Sequence, residues 1–544
     1  MANYKEYIVV VNEGVLISDV EIDLIRDTKL DSVVDSNVVP DRTCEVALEK
    51  STNDRITHFY LTDAEAKNLK SDSRILDVHL KPTVCKSLMQ TQTSNFSRTD
   101  TLRDDLVNWG LKRHIESVVD TNAVNDVYEV DYGYNLDGDG VDIIIQDDGI
   151  QTDHPEFQDE HGFSRVKEID WYAESGMAGE MPSSFYSTTT ADPNHNGGQH
   201  GTHVASVAAG KTYGWAKKAR IYSMRIFGGP NHEIDYAESF DLIRMWHENK
   251  PVDPNTGVKR PTIVNQSWGF AYYYDNSPTA NPSITNIFYK GVDQGYNGGE
   301  SRKVSLGMVS PVHPISVPSV DVEQQQLTDA GVICIHSAGN SLHAQTSQYP
   351  EYNSDIYDSY YTREDIWAGM VMPNDPIYYN RAMSPNSRDT ITVGGMSNEI
   401  QGTDELADRN SERGPLIDVW AAGSSIMAAT SDTSNNVENV VYPDDNAYYI
   451  SRLSGSSIAT PQVSGMLCLL AQMHPSITPA QCKQFITTNS VSGILDTPSS
   501  EDWTDGNTND STYGSPDRIL HWPYGSGINT VVEGNTETNF TNIT

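Results

Sequence analysis

The sequence is poor in cysteine, in basic side chains and in long apolar runs, and each shortage removes a class of protein. Five cysteines (Cys44, Cys85, Cys334, Cys468, Cys482) are scattered through 544 residues with no CxxC pair. Neither a disulfide framework nor a thiolate zinc site is expected, and the thiols read as buried and reduced. Lys and Arg number 37 against 75 Asp and Glu, a formal net charge of -38. With no basic patch to offset it, nucleic acid and anionic membrane are not expected as partners. The excess acid reads as a solvated surface, as in chains kept soluble in salt. No apolar stretch reaches the roughly 18 residues that a transmembrane helix needs. The start of the chain runs almost at once into Ile8-Val9-Val10-Val11, without the apolar core and small-residue cleavage site of a signal peptide. The expectation from that start is an intracellular or particle-associated protein.

What is present is enough apolar material, 37% of residues, for about two to four domains. Residues 1–88 read as a small α+β unit. Tyr7 to Val11 is strand-like, Ile56 to Leu61 alternates apolar and polar, Thr62 caps a short helix, and Ile75 to Leu80 is another strand. Residues 89–104 are polar and read as a linker or cleavage region. The pattern of 105–498 is α/β, interrupted by two Tyr-, Pro- and Asn-rich stretches near 270–319 and 342–380 that read as surface insertions. Residues 499–544 read as a polar extension.

Three segments carry chemistry. Val141 to Gln146 is an apolar run of the kind found in buried parallel strands, and Asp147 stands at its carboxyl end, where ligand groups gather in open α/β sheets. His200-Gly201-Thr202-His203 opens a helix of small residues. In Gly455-Ser456-Ser457-Ile458-Ala459-Thr460-Pro461 a serine sits in a tight bend before an apolar helix, where free amides and the helix dipole favour negative charge. A helix start with a serine cap is the other reading of that last segment taken alone. A serine nucleophile needs an adjacent base, and the base needs a partner to fix its tautomer. The order Asp, His, Ser differs from the Ser, Asp, His of α/β-hydrolases and the His, Asp, Ser of chymotrypsin-like enzymes. Ala459 also stands where a nucleophile elbow has its second Gly.

These three segments resemble the signature motifs of the subtilisin-like serine proteases (peptidase S8), in that family's order, over roughly residues 105–490. The resemblance implies an α/β, three-layer fold with a mostly parallel central sheet, preceded by a small α+β propeptide-like domain. It implies that Asp147 orients His200, that His200 is general base and then acid, and that Ser457 is the nucleophile. Ser337-Ala338-Gly339-Asn340 resembles the segment whose Asn donates to the oxyanion, with the Ser457 amide as second donor; a left-handed turn is the other reading of Asn340. Ser267-Trp268-Gly269 resembles the edge strand that pairs with extended polypeptide substrate, with Trp268 as a core aromatic the alternative. Ser337, Ala338 and Gly339 would form the opposite wall. The floor of that pocket falls in the second insertion and is not readable. His203 reads as a packed structural residue. Asp148 departs from the family's usual Ser or Thr and is expected to point to solvent.

The resemblance further implies that residues 1–88 act as an intramolecular inhibitor, cut off between about Cys85 and Thr101. A propeptide without a signal peptide suits an intracellular zymogen or a larger assembly such as a phage virion. No cofactor is required and no catalytic metal is implied. Structural calcium is common among relatives, and Glu156 matches a position that often supplies a carboxylate. The loop that brings the other ligands is shortened here to Gly210–Tyr213, however, and Asn135 to Gly140 reads as a turn rather than a calcium loop. The alternative from another class is a catalytically silent structural or binding protein whose retained prosegment blocks the cleft; an esterase on the same scaffold is a third.

Overall fold

The computed structural model describes residues 4–25, 38–40, 42–49, 53–81, 86–87, 108–115, 134, 136–186, 198–228, 233–254, 256–273, 283–289, 292–293, 295, 312–314, 317–340, 360–367, 370–372, 376–378, 383–401, 404–408, 411–412, 416–431, 439–491 and 515–524. Its first unit is an antiparallel sheet in the order β2-β3-β1-β4, made of β1 (Lys5–Val11), β2 (Glu45–Glu49), β3 (Ile56–Leu61) and β4 (Ile75–Leu80). Two helices, α1 (Ile17–Ile25) and α2 (Asp63–Leu69), pack on it. The Thr62 side chain accepts from the Glu65 amide while Glu65 accepts from the Thr62 amide, a reciprocal cap that starts α2. A short strand, β5 (Lys86–Ser87), follows.

The second unit is built on a sheet in the order β13-β12-β11-β9-β6-β8-β7, with β14 also beside β12. Its strands are β6 (Asp142–Asp147), β7 (Val166–Lys167), β8 (Arg220–Arg225), β9 (Thr262–Gln266), β11 (Ile333–Ser337), β12 (Ile391–Gln401), β13 (Asp404–Ala407) and β14 (Val419–Ala422). Every pairing is parallel except β12 with β13. Parallel strands need crossovers, and the helices that supply them cover both faces. On one face lie α3 (Trp109–Ile115), α5 (Gln199–Ala209), α8 (Ser456–Met473) and α9 (Pro479–Asn489); on the other, α4 (Trp171–Ser175), α6 (Tyr236–Asn249) and α7 (Pro318–Asp329). Side chains alternate accordingly: Ile143 and Ile145 enter the first core, Ile144 the second. A smaller sheet joins β15 (Ile426–Thr430), β16 (Asn439–Val441) and β17 (Tyr449–Leu453). Among the described residues no helix is long and apolar enough to cross a membrane.

The first unit docks on α7. Tyr7, Val9 and Val11 face α1 and α2, while Ile8 and Val10 turn the other way and join Ile56 and Val322 in a separate cluster. Polar contacts rim that patch: Gln326 Nε2 to Asn53 Oδ1 at 2.9 Å, His79 Nε2 to Ser319 Oγ at 2.9 Å, and Lys81 Nζ to Asp235 Oδ2 at 2.6 Å. Beyond it, β5 runs antiparallel along β10 (Trp268–Gly269), Ser87 opposite Trp268 and Lys86 opposite Gly269.

One sequence expectation needs correction. The polar extension does not begin at 499 as a detached tail, because Ile519, Leu520 and Trp522 are buried in the first core. The Trp420 amide donates to Arg518 O and the Leu520 amide to Trp420 O, both at 2.8 Å, so the segment is tied to β14. Strands from the two insertions pair with each other. Ser283–Tyr289 pairs antiparallel with Tyr360–Trp367, which also pairs with Met370–Met372 and Pro376–Tyr378. The partners are separated in sequence by the helix Pro318–Asp329 and the strand Ile333–Ser337, so no local signal announces the pairing. The four described cysteines, Cys44, Cys334, Cys468 and Cys482, are buried. Residues 89–104 and Cys85 lie outside the described residues.

Candidate active site

Every residue of β6 is buried, and Asp147 ends it. Its Oδ1 accepts the Asp148 amide at 2.8 Å and lies 2.7 Å from His200 Nδ1. A carboxylate on Nδ1 leaves Nε2 as the basic nitrogen. Burial opposes the imidazolium, but the Asp147 charge and hydrogen bond, with Asp148 behind them, outweigh it and raise the His200 pKa above the ordinary value.

His200 is the second residue of α5, whose cap position is Gly198 and offers no side chain. Asp148 fills that role from the neighbouring loop: Oδ2 accepts the His200 amide at 3.2 Å and Oδ1 the Gly201 amide at 2.7 Å. The expectation that Asp148 points to solvent is therefore overturned. Uncapped amides and the helix dipole draw the carboxylate inward. Burial and the adjacent Asp147 charge lift its pKa to about 7. Gly201 has to be bare, because a Cβ there would collide with Gly149 O. His203 is a packing residue: its buried Nε2 donates to Ile426 O and Ser451 O at 3.0 and 3.2 Å, and burial holds its pKa down to about 3.

Ser457 is the second residue of α8, entered through Gly455 at φ 138°, a conformation few other residues adopt. Pro461 has no N–H for the carbonyl four residues before it. That carbonyl belongs to Ser457, and it accepts instead from Ser267 Oγ at 2.7 Å. Ser457 Oγ donates to Ser267 O at 3.2 Å. Although α5 and α8 pack together, His200 Nε2 has no hydrogen-bond partner among the described residues. No hydrogen bond joins Ser457 to His200 in this conformation; catalytic hydrogen bonds are often long before substrate binds. Asn340 Oδ1 accepts the Ser456 amide at 2.8 Å and the Gly339 amide donates to Ser456 Oγ at 3.0 Å. An amide group held by its oxygen keeps its NH2 as donor.

The two wall segments, Ser267 to Gly269 and Ser337 to Gly339, end β9–β10 and β11. The Trp268 indole is buried among Phe227, Phe240 and Phe270, so this residue meets a ligand through its main chain alone. His336 Nε2 donates to the Trp268 carbonyl at 3.0 Å and steadies the edge. Met383, which sequence reading missed, packs against the bare faces of both Gly269 and Gly339. It follows the second insertion, where no motif marks it.

Calcium does not fit the loop that ends α5. Glu156 Oε1 already accepts the Thr212 and Tyr213 amides, each at 2.7 Å, and Oε2 the Tyr442 hydroxyl at 3.2 Å. Lys217 Nζ donates to Lys211 O at 3.1 Å and Gly214 O at 2.8 Å. The oxygens a cation would need are taken by donors, and a positive charge is in place. Burial holds the Lys217 pKa down to about 8, with Glu156 pulling the other way. Asn135 lies outside the described residues; of the stretch that follows it, Asp137 is held by Lys218 at 3.0 Å and Gln472 at 3.2 Å. Among the described residues no three His, Cys, Asp or Glu side chains cluster as a metal site.

The Subtilase family matches residues 138–522, a span that contains Asp147, His200, Asn340 and Ser457 and ends at the last buried tryptophan. Subtilisin-like serine protease Pen c 2 of Penicillium citrinum is 22% identical over 393 residues, 69% of this chain and 61% of that protein. The cuticle-degrading serine protease of Arthrobotrys oligospora is 24% identical over 388 residues, 71% of this chain and 64% of that one. Subtilisin-like protease 2 of Arthroderma benhamiae is 23% identical over 501 residues, 91% of this chain and 88% of that one. The chain thus spans somewhat under two thirds of the length of the first two relatives. With a family match over more than half its length, the chain belongs to the subtilase family.

Proposed function

We propose that this protein is a serine endopeptidase that cleaves extended polypeptide through an acyl-enzyme and is made with its own N-terminal inhibitor. The observation that carries this reading is the Asp147 carboxylate 2.7 Å from His200 Nδ1, with the other ring nitrogen buried and unpartnered among the described residues. Asp147 fixes the tautomer in which Nε2 is the base. Ser457 Oγ turns away from Ser267, gives its proton to Nε2 and attacks the peptide carbonyl carbon. The Asn340 NH2 and the Ser457 amide take the charge that develops on the carbonyl oxygen. His200 then protonates the departing amine, and water releases the acyl group by the same steps in reverse.

A peptide substrate is supported by β5, whose main chain adds to β10 as an extended ligand would. Inhibition is supported by the same contact, since the strand that follows the first unit lies along the edge a substrate would need. The test is casein hydrolysis by the mature chain, together with the state of the Ser457→Ala chain. The variant is expected to hydrolyse nothing and to keep its N-terminal unit. A variant that loses that unit at the normal rate in isolation contradicts self-processing, and one that still digests casein contradicts the assignment of the nucleophile. Asn340→Ala should slow turnover by about two to three powers of ten, a magnitude carried over from subtilisin.

A further inference from the structure

We propose that Met383 sets the specificity of this cleft: its side chain fills much of the pocket for the residue preceding the scissile bond, so that small uncharged residues enter and aromatic ones do not. The inference rests on the protease reading above.

The path of a ligand main chain is marked by β5 along β10, with Lys86 opposite Gly269. Gly269 sits on one wall of the cleft and Gly339, at φ 109°, on the other. Bare glycines on facing walls open a slot into which a ligand side chain passes. Here the chain's own methionine occupies it. A Cβ built on Gly269 would lie 2.5 Å from Met383 Cε and 2.7 Å from its Cγ. One built on Gly339 would lie 3.4 Å from the same Cε and 3.5 Å from Sδ. The thioether end therefore bridges both walls, and Met383 is 5% exposed. On the Gly339 side the Cγ of Glu412 would lie 2.9 Å from such a Cβ, so a second side chain closes that wall.

Protein interiors pack densely, and a ring added to a filled slot has to displace what fills it. Methionine bends more readily than a branched or aromatic residue, so the exclusion is graded rather than absolute. A small side chain needs no displacement.

The test uses the full-length chain after it has matured in solution, with peptides that differ only in the residue before the cleaved bond. Ala is expected to exceed Phe in kcat/KM by about tenfold or more. Met383→Ala should raise the Phe-to-Ala ratio by about tenfold, while Met383→Leu, of similar volume, should leave it within about threefold. Phe preferred by the wild type overturns the inference, as does an unchanged ratio in a folded Met383→Ala. If that variant does not fold, the wild-type ratio decides alone. A chain that cleaves after Phe and is covalently labelled at Ser457 sinks only this inference; one that cleaves none of the peptides and takes no label sinks the protease reading and this inference together.

Discussion

Asp148 caps the helix that carries His200, its two carboxylate oxygens accepting the His200 and Gly201 amides at 3.2 and 2.7 Å. The base is thereby held by two adjacent carboxylates, Asp147 through its ring and Asp148 through its backbone. Both charges favour the imidazolium. The general base works only when neutral, so a raised His200 pKa moves the acid limb of kcat/KM to higher pH. Asp148→Asn keeps an acceptor for one of the two helix amides and removes the charge. Because Asp148 itself titrates at about 7, it carries only part of its charge across that limb, and the limb should move down by less than a full neighbouring charge would give, with a smaller loss of stability than in Asp148→Ala. Asp148→Ala should shift the limb the same way and also cost about 1 kcal/mol of stability. An unmoved acid limb in Asp148→Asn would contradict this electrostatic role.

The docking of the first unit on α7 rests on the apolar patch of Ile8, Val10, Ile56 and Val322. Val322→Glu places an unpaired charge in that patch, at a cost of about 3 kcal/mol or more for the docked state. Limited digestion with an added protease should then release the N-terminal unit faster than from the wild type, while the second unit resists equally well. Equal release rates would mean that the polar rim, not the patch, holds the units together.

The ammonium of Lys217 stands among the oxygens that would otherwise face a cation. This loop should therefore contribute no difference between the melting temperatures in EDTA and in millimolar calcium. Lys217→Met strips the donor from Lys211 O and Gly214 O and leaves Glu156 without its neighbouring charge, which should cost about 1 to 3 kcal/mol. Differential scanning calorimetry reads both. A wild-type melting point that climbs by several degrees with added calcium would show a cation binding the native state after all.

How much of this was legible in the sequence depended on whether a residue's role was local. Asp147, His200 and Ser457 stand at element boundaries with strong local signals: an apolar strand end, a Gly-flanked helix start, and a Gly-Ser bend before an apolar helix. The inward turn of Asp148 was hidden because the amides it caps belong to a helix 50 residues away in order of magnitude. Met383 was hidden because it sits between two walls brought together by the sheet. The Ile8 to Val11 run did carry a signal that was underused. Four apolar residues in succession mean a strand buried on both faces, and the second face is the one that meets Val322. Ile519-Leu520-His521-Trp522 is likewise an apolar island in a polar tail, and it marks where the chain returns to the core.

All of the proposed chemistry depends on Ser457 being a nucleophile activated by His200 and Asp147. Mature chain treated with phenylmethylsulfonyl fluoride and mapped by peptide mass spectrometry tests it most directly. One sulfonyl adduct is expected, on the peptide containing Ser457, and it should be lost in His200→Ala. A mature chain that hydrolyses casein while Ser457 stays unlabelled, or a label that persists undiminished in His200→Ala, would contradict it.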